Sequence, residues 1–340
     1  MAPGGLKPIL KKLAAGEHLD AAAMTAAMET ILDGNAEDAA VAGFLMAIEA
    51  REASPEEITA AARALRARAT TVSAPADCVD TCGTGGDGGG AFNISTAAAI
   101  VAAGAGVRVA KHGNRAVSSK SGSSDVLSAL GVNLQAPLET VERAIEDVGI
   151  GFLFAPNHHP AVRHAAAARA ALGVRTLFNL IGPLANPAGA RRQVLGVYAE
   201  RLLEPMAAAL RDLGSAHALI VHGSDGLDEL TTTGPSLVAE LTPDGAVRRY
   251  EITPEDAGLK RARPEDLEGG GPAENAEAIR RLLSGEPGPA RDIVVLNAAA
   301  TILVADLAPD LDAAARTAER AIDTGSAAQA LRSLVDTTNR

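Results

Sequence analysis

The sequence predicts an α/β protein in which a small all-helical N-terminal domain precedes a large α/β domain with a mostly parallel central sheet. Three observations predict this class. The chain has 340 residues, which is enough for about two domains. Residues 1 to about 72 carry apolar side chains only at helical spacing. After Asp77, short apolar runs alternate with helical stretches, as in sheets whose strands are joined by crossover helices.

Composition narrows the class of protein. With 47% hydrophobic and 21% charged residues the chain is not a disordered one, and a net charge of −11 argues against broad binding to nucleic acid or to an anionic membrane. The N-terminus lacks the order of a signal peptide, and no apolar stretch approaches the ~20 residues of a membrane span. Cys78 and Cys82 alone complete neither a disulfide framework nor a structural zinc site, so both are expected to be buried and reduced. We expect a cytoplasmic protein.

The N-terminal region contains three helical patterns and one strong start signal. The apolar positions are Leu6, Ile9, Leu10 and Leu13, then Met24, Met28, Ile31 and Leu32, then Val41, Phe44, Leu45 and Ile48. Ser54-Pro55-Glu56-Glu57 predicts the start of a fourth helix, with serine as N-cap, proline at the first helical position and acids in the first turn. A linker at 71–77 divides the chain into a helical domain at 1–72 and an α/β domain at 73–340.

The second region is predicted to supply the sheet. Strand-length apolar runs lie at 107–110, 151–154, 218–221 and 293–296, with a further strand at 194–198 and a strand ending at 78–82. Surface loops are predicted at 268–272 and 282–289, because both are rich in glycine, proline and polar residues.

A glycine-rich loop, 83–90, follows the first of these strands, and Asn93-Ile94-Ser95-Thr96 then opens an apolar helix. Glycines let backbone N–H groups face an anion, and the start of a helix adds unpaired donors and a positive dipole end. The spacing formally fits a dinucleotide fingerprint, but the helix begins too late and the next strand ends in Lys111-His112 rather than in an acid. A Walker A loop needs Gly-Lys-Ser/Thr, which is absent.

A second loop of the same kind, 111–125, follows the strand at 107–110. It contains three cations, a row of hydroxyls and two glycines, and leads into a helix with Ser123 or Ser124 as its N-cap. Either loop alone is as consistent with a solvated turn. Two such loops, each between a strand and a helix, favour a ligand with two separated phosphate groups.

An acidic turn, Asp225-Gly226-Leu227-Asp228-Glu229, follows the strand at 218–221. In open α/β sheets ligands bind at the carboxyl ends of strands. Adjacent acids there are suited to Mg²⁺ bridging to a pyrophosphate. By itself, this turn would be better explained as an acidic surface loop.

Together these segments resemble the anthranilate phosphoribosyltransferases. The matching motifs are Gly83-Thr84-Gly85-Gly86-Asp87, Asn93-Ile94-Ser95-Thr96, Lys111-His112-Gly113-Asn114-Arg115, Lys120-Ser121-Gly122-Ser123, His158-His159-Pro160, the segment Phe178 to Pro187, and the acidic turn. The resemblance covers nearly the whole chain. It implies transfer of the phosphoribosyl group of 5-phosphoribosyl-1-diphosphate to the amine of anthranilate, the second step of tryptophan biosynthesis from chorismate. It also implies a homodimer formed through the helical domain, which helices at about 172–190 would join.

The resemblance assigns roles residue by residue. The phosphoribosyl diphosphate would contact Gly83, Gly86, Asp87, Ala91, Asn93, Ile94, Ser95, Thr96, Lys111, His112, Gly113, Asn114, Arg115, Ala116, Val117, Ser118, Ser119 and Ser123. Anthranilate would contact Gly83, Asn114 and Arg169, with His112 and Pro183 lining its entry path. Mg²⁺, with two ions per subunit, would be held by Ser95, Asp228 and Glu229. No covalent nucleophile is implied, and Asn114 and Arg169 would act by positioning.

The chain departs from the common family pattern at three positions. Ala91 stands where many members have threonine, Ser124 replaces a commoner alanine, and Cys82 precedes the glycine loop where valine is frequent. The change at Ala91 removes one possible hydrogen bond to a phosphate, worth about 0.5–1.5 kcal/mol. None of the three removes a charged group from the predicted site.

Two other functions were compared with this one. Pyrimidine nucleoside phosphorylases resemble the same fold and carry a related glycine loop, but they lack the full Asn114-Arg115 and Asp228-Glu229 set. A non-catalytic relative that binds nucleic acid would need a basic face and a degraded acid pair, which the net charge of −11 and the intact acids oppose.

Overall fold

The structure is a computed structural model that describes residues 5–85, 91–116 and 120–340. Its first region is helical, as predicted: α1 (Lys7–Ala14), α2 (Ala21–Leu32), α3 (Asp38–Arg51) and α4 (Pro55–Arg66). The start signal of α4 is confirmed, because the Ser54 hydroxyl accepts from Glu57 N and the Glu57 carboxylate accepts from Ser54 N. This reciprocal pairing satisfies two donors that a helix start leaves open.

Seven strands, counted over the described ranges, form one sheet in the order β3-β2-β1-β4-β5-β6-β7. They are β1 (Val79–Gly83), β2 (Val109–Gly113), β3 (Ile150–Phe154), β4 (Arg192–Gly196), β5 (His217–Gly223), β6 (Ser236–Leu241) and β7 (Val247–Ile252). β1 to β5 are mutually parallel, whereas β6 and β7 are antiparallel additions at one edge. The mostly parallel sheet is therefore confirmed, and the two antiparallel strands were not predicted.

The remaining helices surround this sheet. They are α5 (Ile94–Gly104), α6 (Ser123–Ala129), α7 (Leu138–Arg143), α8 (Ala155–His158), α9 (Ala166–Leu172), α10 (Leu177–Ile181), α11 (Leu203–Asp212), α12 (Pro272–Leu283), α13 (Pro289–Val304), α14 (Leu311–Asp323) and α15 (Ser326–Thr338). In the described part of the chain, no helix is both long and apolar enough to span a membrane.

Two sequence predictions are wrong. Residues 293–296 belong to the buried helix α13 rather than to a strand, because a short apolar run has no period that separates the two. The N-cap of α6 is Gly122 rather than Ser123 or Ser124. The segment 268–272 is irregular before α12 and has Glu268 exposed, as expected of a surface loop, and it is tied to the start of α5 because Glu268 pairs with Ala91.

The sheet separates two apolar clusters, because alternate residues of each strand point to opposite faces. Leu219 and Val221 join the cluster formed with α5 and α12 to α15. Ala218 and Ile220 join the cluster that includes the N-terminal helices and α9 to α11. Within this second cluster α9 contacts α3, and α10 contacts α4. Both cysteines are buried and free, as predicted.

A buried carboxylate fastens the N-terminal helices. Glu57 is fully buried, accepts from Leu19 N at 2.7 Å and from Ser54 N at 2.8 Å, and is paired with Arg51. Burial alone raises the pKa of this carboxyl, but the Arg51 guanidinium and the two N–H groups outweigh burial and lower the pKa to about 2.

We therefore expect an acid-labile helical region. The folded pKa of Glu57 lies below its ordinary 4.5, so its contribution is complete above pH 4.5 and is lost as the pH falls towards 2. The loss amounts to roughly 3 kcal/mol of the free energy of unfolding. Urea unfolding of the wild type and of Glu57→Gln between pH 2 and pH 7 measures it. Equal pH dependence in the two proteins would contradict the assignment.

Candidate functional site

A cleft of about 300 Å³ opens at the carboxyl ends of the central strands. The loops after β1, β2 and β5 and the start of α5 form its walls. This is the edge at which parallel α/β sheets bind ligands, because the strand ends and helix starts converge there.

The floor of the cleft depends on two glycines that lie side by side in β1 and β4. Gly83 pairs with Gly196 in the parallel register. A Cβ on Gly83 would lie 2.2 Å from Asp228 Oδ2, and one on Gly196 would lie 1.5 Å from the Asp228 carbonyl oxygen. Asp228 therefore rests directly on the sheet surface, which only glycine at both positions permits.

The acid pair bridges the glycine loop and the start of α5. Asp228 Oδ2 accepts from Gly85 N at 2.7 Å, and Glu229 Oε1 accepts from Ser95 N at 3.2 Å. The two carboxylates thus lie where backbone donors and the positive end of α5 favour negative charge.

Lys111 is a buried cation at the base of the cleft. Its Nζ donates to the Thr81 carbonyl oxygen at 2.5 Å and to Ser95 Oγ at 3.3 Å. Burial lowers the pKa of its ammonium, and the nearby carboxylates of Asp80, Glu229 and Asp228 oppose that shift.

His112 follows Lys111 and is held neutral. Burial is the main cause that lowers its pKa to about 3, and the neighbouring His159 and His158 add to it. The His112 and His159 rings lie 5.1 Å apart, whereas His158 Nδ1 contacts the Thr70 carbonyl oxygen. His158 and His159, which are adjacent in the sequence, thus contact different partners. This is typical of two loop residues rather than of a pair that binds one metal.

The second loop turns back on itself around Asp125. One oxygen of this carboxylate accepts from Ala116 N at 3.0 Å and from Gly122 N at 2.9 Å. A Cβ on Gly122 would lie 2.3 Å from Ala116 N, so glycine is needed where the two segments cross. Gly122 takes the N-cap position because Asp125 provides the capping carboxylate, and Ser123 Oγ instead donates to the Asn114 carbonyl oxygen.

A second chamber of about 450 Å³ joins the cleft at Arg169. The guanidinium carbon of Arg169 lies 5.2 Å from the centre of the Phe178 ring, and burial lowers the pKa of the side chain. His112 and Asn114 border both cavities. The cleft therefore has a polar part between the two loops and an aromatic and cationic part at Arg169.

Among the predicted site residues, those that the structure describes all line the cleft. They are Gly83, Ala91, Asn93, Ile94, Ser95, Thr96, Lys111, His112, Gly113, Asn114, Arg115, Ala116, Ser123, Arg169, Pro183, Asp228 and Glu229. Gly86, Asp87, Val117, Ser118 and Ser119 lie outside the described residues. The cleft also includes ten residues to which sequence analysis gave no role, namely Cys82, Thr84, Gly85, Phe92, Ser121, Gly122, Ala155, Phe178, Asn179 and Gly182. Seven of them lie in the quoted motifs, which is the signal that identifies them, whereas Cys82, Phe92 and Ala155 lie outside these motifs and carry no such signal.

The donor set at the acid pair fits Mg²⁺. Two carboxylates and the Ser95 hydroxyl are oxygen ligands, and Mg²⁺ is commonly bound by one or two carboxylates together with phosphate oxygens. Over the described ranges, no group of three or more His, Cys, Asp and Glu side chains is placed to hold a metal. The arrangement suits a metal that a phosphorylated ligand helps to hold.

Comparison with known families agrees with this geometry. Residues 7–69 match the helical bundle domain of the glycosyl transferase family, and residues 75–328 match its a/b domain. The chain therefore belongs to this glycosyl transferase family.

The relatives with similar sequences show to which branch of this family the chain belongs. The anthranilate phosphoribosyltransferase of Maricaulis maris is 56% identical over 330 residues, covering 97% of each chain, and that of Rhodospirillum rubrum is 55% identical, covering 97% of this chain and 95% of the relative. Within the family, the chain is a member of the anthranilate phosphoribosyltransferases.

Solved structures agree. The Thermus thermophilus enzyme superposes with a TM-score of 0.92 at 47% identity, covering 97% of this chain and 99% of that one. The Saccharomyces cerevisiae enzyme in complex with PRPP and Mg superposes with a TM-score of 0.91 at 29% identity, covering 99% of both chains.

Proposed function

We propose that this protein transfers the phosphoribosyl group of 5-phosphoribosyl-1-diphosphate to the amine of anthranilate, giving N-(5-phosphoribosyl)anthranilate and diphosphate. The observation that most strongly supports this reaction is that two loops of phosphate-binding type face one cleft, with an acid pair between them. The relatives named above support the choice of substrates. In the cell this is the second step of tryptophan biosynthesis from chorismate, carried out in the cytoplasm.

The donor is proposed to lie between the two loops. The N–H groups at the start of α5 and the Lys111 ammonium supply positive potential for its diphosphate. The proposed contacts are Gly83, Gly86, Asp87, Ala91, Asn93, Ile94, Ser95, Thr96, Lys111, His112, Gly113, Asn114, Arg115, Ala116, Val117, Ser118, Ser119 and Ser123. Ala91 contributes no side-chain hydrogen bond, so the donor there depends on backbone contacts.

Ser95, Asp228 and Glu229 are proposed to hold Mg²⁺, with two ions per subunit. When bound, Mg²⁺ would neutralise charge on the departing diphosphate. The chain's own part is to hold three oxygen ligands beside the start of α5. The complex of the yeast relative with PRPP and Mg supports the use of this metal.

Anthranilate is proposed to bind at the Arg169 end of the cleft, in contact with Gly83 and Asn114 and with His112 and Pro183 along its entry path. Its amine is the nucleophile, so the protein has to position it rather than to form a covalent intermediate. His112, neutral because its pKa lies near 3, places no competing cation beside Arg169. The yeast relative in complex with 4-fluoroanthranilate supports an acceptor of this class.

Loss of anthranilate fluorescence tests the proposal directly. The chain contains no tryptophan, so the protein background is low. We expect the signal to fall only when the protein, phosphoribosyl diphosphate and Mg²⁺ are all present. A folded protein that leaves the signal unchanged would refute the proposal, and release of base from thymidine or uridine with phosphate would then test phosphorolysis.

Arg169→Ala is expected to raise the KM for anthranilate by roughly 10- to 100-fold, because a carboxylate loses a charge-assisted hydrogen bond. The KM for the phosphoribosyl donor is expected to change little. Steady-state kinetics with each substrate varied in turn measure both constants. Arg211→Ala is the control, since Arg211 on α11 is exposed, pairs with Asp212 and lines neither of the two cavities, so both KM values should stay at those of the wild type. Equal increases in both KM values for Arg169→Ala would contradict the placement.

We further propose that residues 1–72 form a helical domain that dimerises, that α10 joins it, and that residues 73–340 form the substrate-binding domain. Two exposed large apolar side chains support an interface on the helical side: Met46 on α3, 38% exposed, and Val174 after α9, 53% exposed. Light scattering of the wild type and of Met46→Glu tests this proposal. A wild-type monomer would contradict it.

A further inference from the structure

Two buried asparagines contact the cleft loops from behind. Asn275 on α12 is 3% exposed and Asn297 on α13 is 1% exposed. A buried amide is costly unless its donors and acceptor are satisfied, so the groups that satisfy it are informative.

Asn297 is bonded to the main chain of Leu230, the residue after Glu229. Its Oδ1 accepts from Leu230 N at 3.0 Å, and its Nδ2 donates to the Leu230 carbonyl oxygen at 2.8 Å. A third bond, from Nδ2 to the Ile293 carbonyl oxygen, fixes the amide on its own helix. This pairing holds both backbone polar groups of Leu230 in place. Because Leu230 directly follows Glu229, it also holds the backbone that carries the acid pair.

Asn275 is bonded to the first phosphate loop instead. Its Nδ2 donates to Asn93 Oδ1 at 3.0 Å, while its Oδ1 accepts from Gly270 N at 2.8 Å. Asn93 in turn donates to the Ser121 carbonyl oxygen at 2.9 Å and accepts from Ser121 Oγ at 3.0 Å. Asn275 therefore sets the amide orientation of the side chain that joins the first loop to the second.

We propose that Asn275 and Asn297 are positioning residues with separate tasks, resting on the proposed function. Asn297 places Asp228 and Glu229 for the metal, and Asn275 places Asn93 and hence the two loops for the diphosphate. Neither side chain is among those that line the cleft, so each acts through the group it holds.

The separation is tested with Asn297→Leu and Asn275→Leu, which remove the amide at nearly constant volume. For Asn297→Leu we expect the Mg²⁺ concentration that half-saturates binding of inorganic diphosphate, measured by calorimetry, to rise tenfold or more. For Asn275→Leu we expect that concentration to be unchanged, while the Kd for diphosphate at saturating Mg²⁺ and the KM for the phosphoribosyl donor rise about tenfold. The KM for anthranilate should change little in either variant.

Thr301→Val is the matched control. Thr301 lies one turn beyond Asn297, is fully buried, and donates only to the Asn297 carbonyl oxygen within α13. We expect a lower melting temperature with unchanged binding of Mg²⁺ and diphosphate. If a leucine variant does not fold, the aspartate variant at the same position replaces it. Asn297→Asp keeps an oxygen acceptor for Leu230 N, and Asn275→Asp keeps one for Gly270 N.

Each outcome decides the inference. Variants that lose only thermal stability, or that shift the same constants equally, overturn it, as does a wild type that binds no diphosphate. The binding measurement needs no turnover. If the wild type binds Mg²⁺ and diphosphate and the two variants show the predicted split, but the wild type consumes no anthranilate, the inference stands and the proposed function is refuted.

Discussion

A variant that carries both Asp228→Asn and Glu229→Gln is expected to lose at least about a thousandfold in kcat/KM and to show no stimulation by Mg²⁺. The amides keep an oxygen for Gly85 N and Ser95 N, the donors that the two carboxylates accept from. The loops therefore stay in place, while the negative charge that attracts the metal is gone. Initial rates over a range of Mg²⁺ concentrations, at saturating anthranilate, measure the effect.

Asp225→Asn is the control for this variant. Asp225 lies in the same turn, but its carboxylate accepts from the hydroxyls of Thr231 at 2.6 Å and Thr233 at 2.7 Å and does not line the cleft. We expect a modest loss of stability and the Mg²⁺ dependence of the wild type. An undiminished response to Mg²⁺ in the double variant would remove Asp228 and Glu229 from the metal site.

The sequence was most informative where local chemistry decides structure. Ser54 and Glu57 form the predicted capping box because both partners lie within one helical turn. The parallel strands were predictable because short apolar runs alternate with helices. The shared cleft of the loops after β1 and β2 was predictable because both loops follow parallel strands, whose carboxyl ends meet at one edge of the sheet.

Long-range contacts explain what the sequence did not predict. Residues 293–296 were predicted as a strand because α13 is buried on almost every side. Apolar residues therefore occupy most of its faces, and the 3.6-residue period that would indicate a helix is lost. β7 is an edge strand with exposed polar residues, and the apolar run of the largely buried β6 is cut short by Glu240, so neither strand has a continuous apolar run of the length seen in the parallel strands. The importance of Asn297 was missed through the same error. A polar residue at the end of a predicted strand is ordinary, whereas a polar residue inside a buried helix needs hydrogen-bond partners and therefore indicates a special position.

Contacts to the cleft from distant segments were also beyond local reasoning. Asn275 lies 182 residues from the asparagine that it orients, and no spacing rule joins the two. Gly269 lies in the predicted surface loop, but its close approach to Phe92, where a Cβ would lie 2.6 Å from Phe92 Cα, was not predicted. Such pairings depend on how α12 packs against α6 and α13, and on how α13 packs against α5 and the sheet, which the sequence pattern leaves undetermined.

Gly196→Ala is expected to lower the free energy of unfolding by about 3 kcal/mol and kcat/KM by roughly a hundredfold. Its Cβ would lie 1.5 Å from the Asp228 carbonyl oxygen and 2.4 Å from the carbonyl carbon. These are backbone atoms, so the whole acid turn has to shift away from the sheet. Urea unfolding and steady-state kinetics at saturating Mg²⁺ measure the two effects.

Gly83→Ala separates stability from chemistry at the same contact. Its Cβ would clash only with the Asp228 carboxylate and would reach the Asp228 carbonyl oxygen at an ordinary 3.4 Å, and a side chain rotates at lower cost than a turn moves. We expect a smaller loss of stability than for Gly196→Ala but a clear loss of Mg²⁺ affinity, because Asp228 Oδ2 leaves its position beside Gly85 N. Gly43→Ala on α3 is the control, since its Cβ would meet only Leu10 at 3.8 Å and alanine favours a helix. If Gly196→Ala were as stable and active as Gly43→Ala, Asp228 would not rest on the glycine pair. The glycine pair would then not be what positions the proposed metal site.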